Sequence, residues 1–161
     1  MPGSGEPFFQ KTIRKCSAAF DAPVFDPHVT LGRVPEDKAY LVSQFLSQLE
    51  SNFRSFPLKT KELQCRKEPY QKLVITLQPE KNYRALCDVL DQFFGGRYSK
   101  PEDPHISLLY SQLSCEDIKK QTDFKDGRIP EKADIQGIAL VKLYGRPGEW
   151  EITKQINFKG Q

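Results

Sequence analysis

The sequence predicts an α+β fold built as two pseudo-symmetric lobes, each an antiparallel sheet carrying helices on one face. Three observations lead there. The segment Asp26-Pro27-His28-Val29-Thr30-Leu31 returns as Asp103-Pro104-His105-Ile106-Ser107-Leu108, and these are the only two histidines among 161 residues. Hydrophobic spacing gives the same order around each copy: helix, His strand, helix, strand, strand. The composition is globular, with 38% hydrophobic and 28% charged residues and 11 Phe to build a core. The chain reads as one domain over 1–161, with lobe one about 1–80, lobe two about 81–161, and strands free to exchange between them. The pseudo-two-fold axis is expected between the His strands.

Met1-Pro2-Gly3-Ser4-Gly5 is loop-like, and Phe9, Ile13, Cys16 and Phe20 then follow helical spacing. Pro27 to Val34 is the first His strand. Pro35 suits a first helical position, and Val42, Phe45, Leu46, Leu49 and Phe53 form the stripe of a second helix, with Pro57 ending that region. Residues 58–66 and 72–78 read as strands; the run from Leu73 to Leu77 suits a strand buried on both faces. In the second half, Tyr83, Leu86, Cys87, Leu90, Phe93 and Phe94 make a helical stripe that Gly95-Gly96 closes. Pro104 to Tyr110 is the second His strand. Ser114 to Asp117 fits a capping box, with Asp in place of the usual Glu, opening a short helix. Residues 123–136, rich in Asp, Lys and Gly, read as a solvated loop. Residues 137–144 and 149–158 close the chain as strands joined by Arg146-Pro147-Gly148, and alternation from Trp150 to Phe158 leaves the last strand one wet face.

The formal net charge of +3 suits an anionic substrate and is too weak to imply a nucleic-acid-binding protein. No apolar run approaches the roughly 20 residues of a membrane span. The N-terminus shows no signal peptide. Cys16, Cys65, Cys87 and Cys115 lack zinc-site spacing. Cys16 and Cys87 read as core thiols, and a disulfide between any pair stays open. A cytoplasmic location and a monomer are the expectations.

Residues two apart in a strand share a face, so each copy offers an imidazole and a hydroxyl side by side. Ser and Thr make up 16 of the 161 residues. A hydroxyl at +2 of both histidines therefore arises by chance roughly once in a hundred, before the matching Asp-Pro and Leu are counted. Two imidazoles of ordinary pKa, about 6.5, divide general-base and general-acid work near neutral pH. Thr30 and Ser107 then suit donors to non-bridging phosphoryl oxygens. Asp26 and Asp103 either orient the histidines or open turns, with the turn favoured. No metal or cofactor is expected, since hydroxyls at +2 are poor zinc ligands. Rim candidates for base or ribose recognition are Trp150, Tyr98, Tyr144, Phe25 and Arg97.

The duplicated His-Φ-Ser/Thr-Φ, His28-Val29-Thr30-Leu31 and His105-Ile106-Ser107-Leu108, resembles the hallmark of the two-histidine (2H) phosphoesterase superfamily. The run His105 to Tyr110 looks most like its small cyclic phosphodiesterase (CPDase) branch of plants and fungi. The resemblance spans nearly the whole chain. It implies a bilobal fold with helices outside and the active site in the central cleft. It implies that His28 and His105 are catalytic and that the enzyme opens ADP-ribose 1″,2″-cyclic phosphate or nucleoside 2′,3′-cyclic phosphates. His105 is taken as base and His28 as acid, although the sequence does not fix the side of attack. Tyr110 faces away from Ser107 in an ideal strand, and by resemblance reaches the phosphate if the strand ends or bends there. Relatives usually begin with an apolar strand; here it is at most a stub at Met1-Pro2, leaving an edge expected to be unpaired. The alternatives are an RNA end-processing phosphodiesterase or 2′-5′ ligase-like enzyme, and, from another class, a nucleotide-binding protein without turnover.

Overall fold

The structure is a computed structural model that describes residues 7–49, 52–68, 70–121 and 129–160. Helix α1, Phe8–Phe20, buries Ile13, Cys16 and Ser17 and ends at Asp21 in the left-handed region. A 3₁₀ turn, Glu36–Lys38, leads into α2, Ala39–Leu49. Pro35 caps that turn instead of entering it, and Phe53 lies beyond the helix, its ring 5.8 Å from Phe158. Strands β1, Phe56–Cys65, and β2, Tyr70–Leu77, pair antiparallel, and β2 is buried on both faces from Lys72 to Leu77. Helix α3, Lys81–Phe94, stops at Gly95, whose φ of 54° suits a residue without a Cβ.

Strand β3 is His105–Ser111. Helix α4, Cys115–Gln121, opens with the expected cap: the Ser114 hydroxyl accepts from the Asp117 N–H at 3.1 Å and donates to its carboxylate at 2.7 Å. Strands β4, Lys132–Ile135, β5, Gly137–Lys142, and β6, Glu151–Asn157, complete the described elements. One antiparallel sheet has the order β3-β2-β1-β4, and the other is the β5–β6 pair. The larger sheet thus draws β1 and β2 from the first half and β3 and β4 from the second. Helix α1 packs on β3, and α2 packs on β5 and β6.

Three further sequence expectations change. The first His segment is not a regular strand. It makes isolated antiparallel bridges, Val29 to Ile106 and Arg33 to Ser99, because Pro27 and Pro35 bracket it without ladder donors. The expected loop 123–136 contains β4, which pairs with Phe56 to Lys59 of β1; four residues are too few for alternation to register among charges. Ile152, expected on the buried side of the last strand, is 48% exposed, whereas Ile156 and Phe158 are buried. Residues 123–128 of that loop, and the stub Met1-Pro2, lie outside the described residues.

The core gathers on the sheet as one cluster that includes Ile13, Phe45, Leu58, Ile75, Leu86 and Leu108. Phe45 of α2 meets Phe93 and Phe94 of α3 at 5.0 and 5.7 Å between ring centres. Cys65 and Cys115 form a disulfide between the end of β1 and the start of α4. Cys16 is a buried free thiol whose pKa burial pushes up to about 12, and Cys87 is a half-buried one. No described helix is long and apolar enough to cross a membrane.

Candidate active site

The site grows from the bridge between Val29 and Ile106. Antiparallel register around that pair sets His28 opposite Ser107 and Thr30 opposite His105. Directly opposed Cβ atoms lie about 4.5–5.5 Å apart and diagonal neighbours about 7–8 Å, so the two imidazoles stand diagonally across one small square. Val29 and Ile106 point to the other side, where Ile106 is buried in the core. All four positions singled out by the repeat are brought together on one face.

Each histidine is oriented the same way. Nδ1 of His28 lies 2.8 Å from the Asp26 carbonyl oxygen, and Nδ1 of His105 lies 3.0 Å from the Asp103 carbonyl oxygen. A carbonyl only accepts, so each Nδ1 carries the proton and each Nε2 is left for chemistry. The Asp-Pro turn is therefore the orienting device, through its backbone. Neither the Thr30 nor the Ser107 hydroxyl has a hydrogen-bond partner among the described residues. Ser107 is only 3% exposed, yet no described buried side-chain oxygen is sealed without a partner, so its hydroxyl keeps an opening toward solvent.

The two rings differ in environment. His105 is 5% exposed, whereas His28 is half-buried. Burial holds the His105 pKa below its ordinary value; the Asp103 carbonyl opposes this, the Arg66 charge adds to it, and the Asp103 carboxylate and His28 act in opposite senses. On β2, Thr76 stands opposite His105, and its hydroxyl donates to the Glu62 carbonyl oxygen.

Tyr110 reaches this face through an irregularity. Leu73 pairs with Leu109 and Val74 with Ser107, so Leu108 is an extra residue in β3. Tyr110 is then two ladder steps beyond Ser107 instead of three and returns to its side. Its ring lies 4.7 Å from Phe25 and 5.8 Å from Trp150, and both of those rings lie 6.1 Å from the His28 ring. Of the other rim candidates, Tyr98 spends its hydroxyl on Asp91, and Tyr144 and Arg97 are exposed.

Sequence reasoning missed Arg66. It follows Cys65, and its Nη2 donates to both Asp103 carboxylate oxygens at 2.9 and 2.7 Å. No local signal marks it, because the pair is 37 residues apart in sequence.

No protein-family model matches this chain, and no curated protein sequence does. Nine chains of solved structures match. One is the crystal structure of TT0787 of Thermus thermophilus, with a TM-score of 0.60 and 16% identity, covering 94% of this chain and 92% of that one. At that identity the likeness shows the fold alone.

Proposed function

We propose that this chain is a metal-independent cyclic phosphodiesterase of the 2H type. The finer architecture belongs to the same reading: two lobes, related by a pseudo-two-fold axis, with the active site in the cleft between them. The observation that carries it is the antiparallel bridge from Val29 to Ile106, whose register puts His28 across from Ser107 and Thr30 across from His105. A phosphoryl group fits between diagonal imidazoles, with a hydroxyl beside each to bind its non-bridging oxygens. One Nε2 takes a proton from water, and the water oxygen bonds to phosphorus. A ring ester bond breaks, and the other ring, an imidazolium, gives its Nε2 proton to the leaving ribose oxygen. Charge that grows on the non-bridging oxygens meets Thr30 and Ser107, with Tyr110 at the edge of the same face. Five-membered cyclic phosphates of nucleosides or of ADP-ribose suit a small square with aromatic rings on one side.

Phosphorus NMR in EDTA with ADP-ribose 1″,2″-cyclic phosphate and with a nucleoside 2′,3′-cyclic phosphate tests this. Turnover is expected on at least one, and His28→Ala or His105→Ala each lowers kcat by about 10²–10⁴-fold while substrate still binds. A folded protein that opens neither substrate refutes the reading.

One observation favours the RNA-end alternative. Lys59, Lys61 and Lys132 line an open concavity of about 490 Å³ with Thr60, Gln78 and Glu131. It adjoins the second His turn, since the N–H of Leu77, next to Gln78, donates to the Pro104 carbonyl at 2.9 Å. Affinity for short RNA that falls steeply with salt would support that alternative over the small-nucleotide reading. A cytoplasmic monomer is part of the proposal. Disulfides are rare in the cytosol, so the redox state of Cys65 and Cys115 in cells tests the location.

A further inference from the structure

The two Asp-Pro-His units match in sequence and in the carbonyl that each Nδ1 meets, but they differ in one neighbour. The Asp103 carboxylate is held by Arg66, whose side chain is 20% exposed. Asp26 is exposed, and among the described residues nothing pairs with its carboxylate. The Asp103 Oδ1 lies 3.8 Å from the His105 Nδ1. A carboxylate that close favours an imidazolium. Arg66 opposes this twice: it engages the carboxylate in charge-assisted bonds, and it adds its own permanent positive charge near the ring.

Arg66 is well fixed for such a role. Its N–H donates to the Lys72 carbonyl at 2.8 Å, and the buried Lys72 Nζ donates back to the carbonyls of Arg66 and Lys67 at 3.2 and 3.0 Å. The preceding Cys65 is tied to Cys115. The charged or titratable groups acting on His105 are Asp103 on its own segment, Arg66 at the end of β1 and His28 on the bridging segment. Strand β2 offers the uncharged Thr76, and α1, packed on β3, buries Ile13, Cys16 and Ser17.

We infer that Arg66 is a positioning residue that makes the two histidines unequal: by occupying the Asp103 carboxylate it leaves the His105 ring neutral to take the proton from water, and His28 to give one to the leaving group. This assignment rests on the acid–base reading of the pair. Arg66 acts on the ring through Asp103, whose carboxylate it holds. Added to the deeper burial of His105, its charge and its hold on Asp103 break a symmetry that the repeated motif leaves intact.

The test is the ring titration of both histidines by ¹⁵N NMR, together with the pH profile of kcat/KM, in Arg66→Met and Asp103→Asn. The two histidines are the only ones in the chain, so both resonances are assignable with a single His28→Asn control. In Arg66→Met the carboxylate is freed, so the His105 midpoint and the acidic limb of the profile move to higher pH. In Asp103→Asn the stabilising carboxylate is gone while Arg66 remains, so both move to lower pH. Each unit of movement changes the rate on the acidic side by about tenfold. A purely structural arginine would lower activity at all pH values without opposite shifts. His105 midpoints that stay put, or move the same way in both variants, overturn the inference. If Arg66→Met fails to fold, Asp103→Asn and Arg66→Lys, which keeps the charge and so the midpoint, carry the test. Because the titration needs no turnover, failure of the phosphodiesterase reading is seen separately, as absent product with the opposite shifts intact.

Discussion

At the residue scale, the proposed chemistry rests on where two protons sit. Each Nδ1 is committed to a carbonyl two residues earlier, a contact that the Asp-Pro turn makes within its own segment. The lowered His105 pKa also carries a sign for stability. The unfolded chain takes up a proton near pH 6.5 that the folded ring resists. The His105 contribution to stability is therefore full above about pH 6.5 and declines as pH falls below it. Denaturant midpoints measured across that range should show the decline, and His105→Asn should remove its share of it.

At the element scale, the first His segment is held by two bridges instead of a ladder, so its placement depends on close approach. A Cβ on Gly32 would meet the Tyr98 ring at 2.5 Å and the Ser99 carbonyl oxygen at 3.0 Å, beside the Arg33–Ser99 bridge. Gly32→Ala is expected to cost about 1–3 kcal/mol and, by pushing His28 off its position, to lower kcat more than it raises KM. Chemical denaturation and steady-state kinetics on the same protein check both parts. The disulfide belongs to this scale too. It closes a separation of 50 residues between β1 and α4. Cys65→Ser with Cys115→Ser is expected to lower stability by about 2–4 kcal/mol, read from urea unfolding with m fitted for each protein, since the uncrosslinked chain exposes more surface.

At the scale of the whole molecule, the site sits where the sheet built from both halves meets the first His segment, so its geometry depends on the common core. Phe45 is 1% exposed and joins α2 to the aromatic rings of α3, far from the histidines in sequence. Phe45→Ala is expected to cost about 3–5 kcal/mol. A loss of less than about 1 kcal/mol in thermal or urea unfolding would show that this cluster does not tie the helices together. Much of the architecture was legible in advance. The stripes of α1 and α3, the Gly95 stop, the Ser114 cap and the two-sided burial of β2 are local patterns of period or capping, and they appear where those patterns put them. The strand β4, the bridged form of the first His segment and the exposure of Ile152 were not legible, because each is decided by a partner strand instead of by its own residues.

The same division holds for the site. The sequence alone determined that an imidazole and a hydroxyl recur two residues apart after each Asp-Pro, at His28 and Thr30 and at His105 and Ser107, because that pattern is complete within one short segment. Only the tertiary structure decided that Val29 lies on Ile106, that the extra Leu108 returns Tyr110 to the face of Ser107, and that Arg66 holds Asp103. Those contacts join residues distant in the chain, chosen by strand order, register and burial, and no local periodicity encodes them.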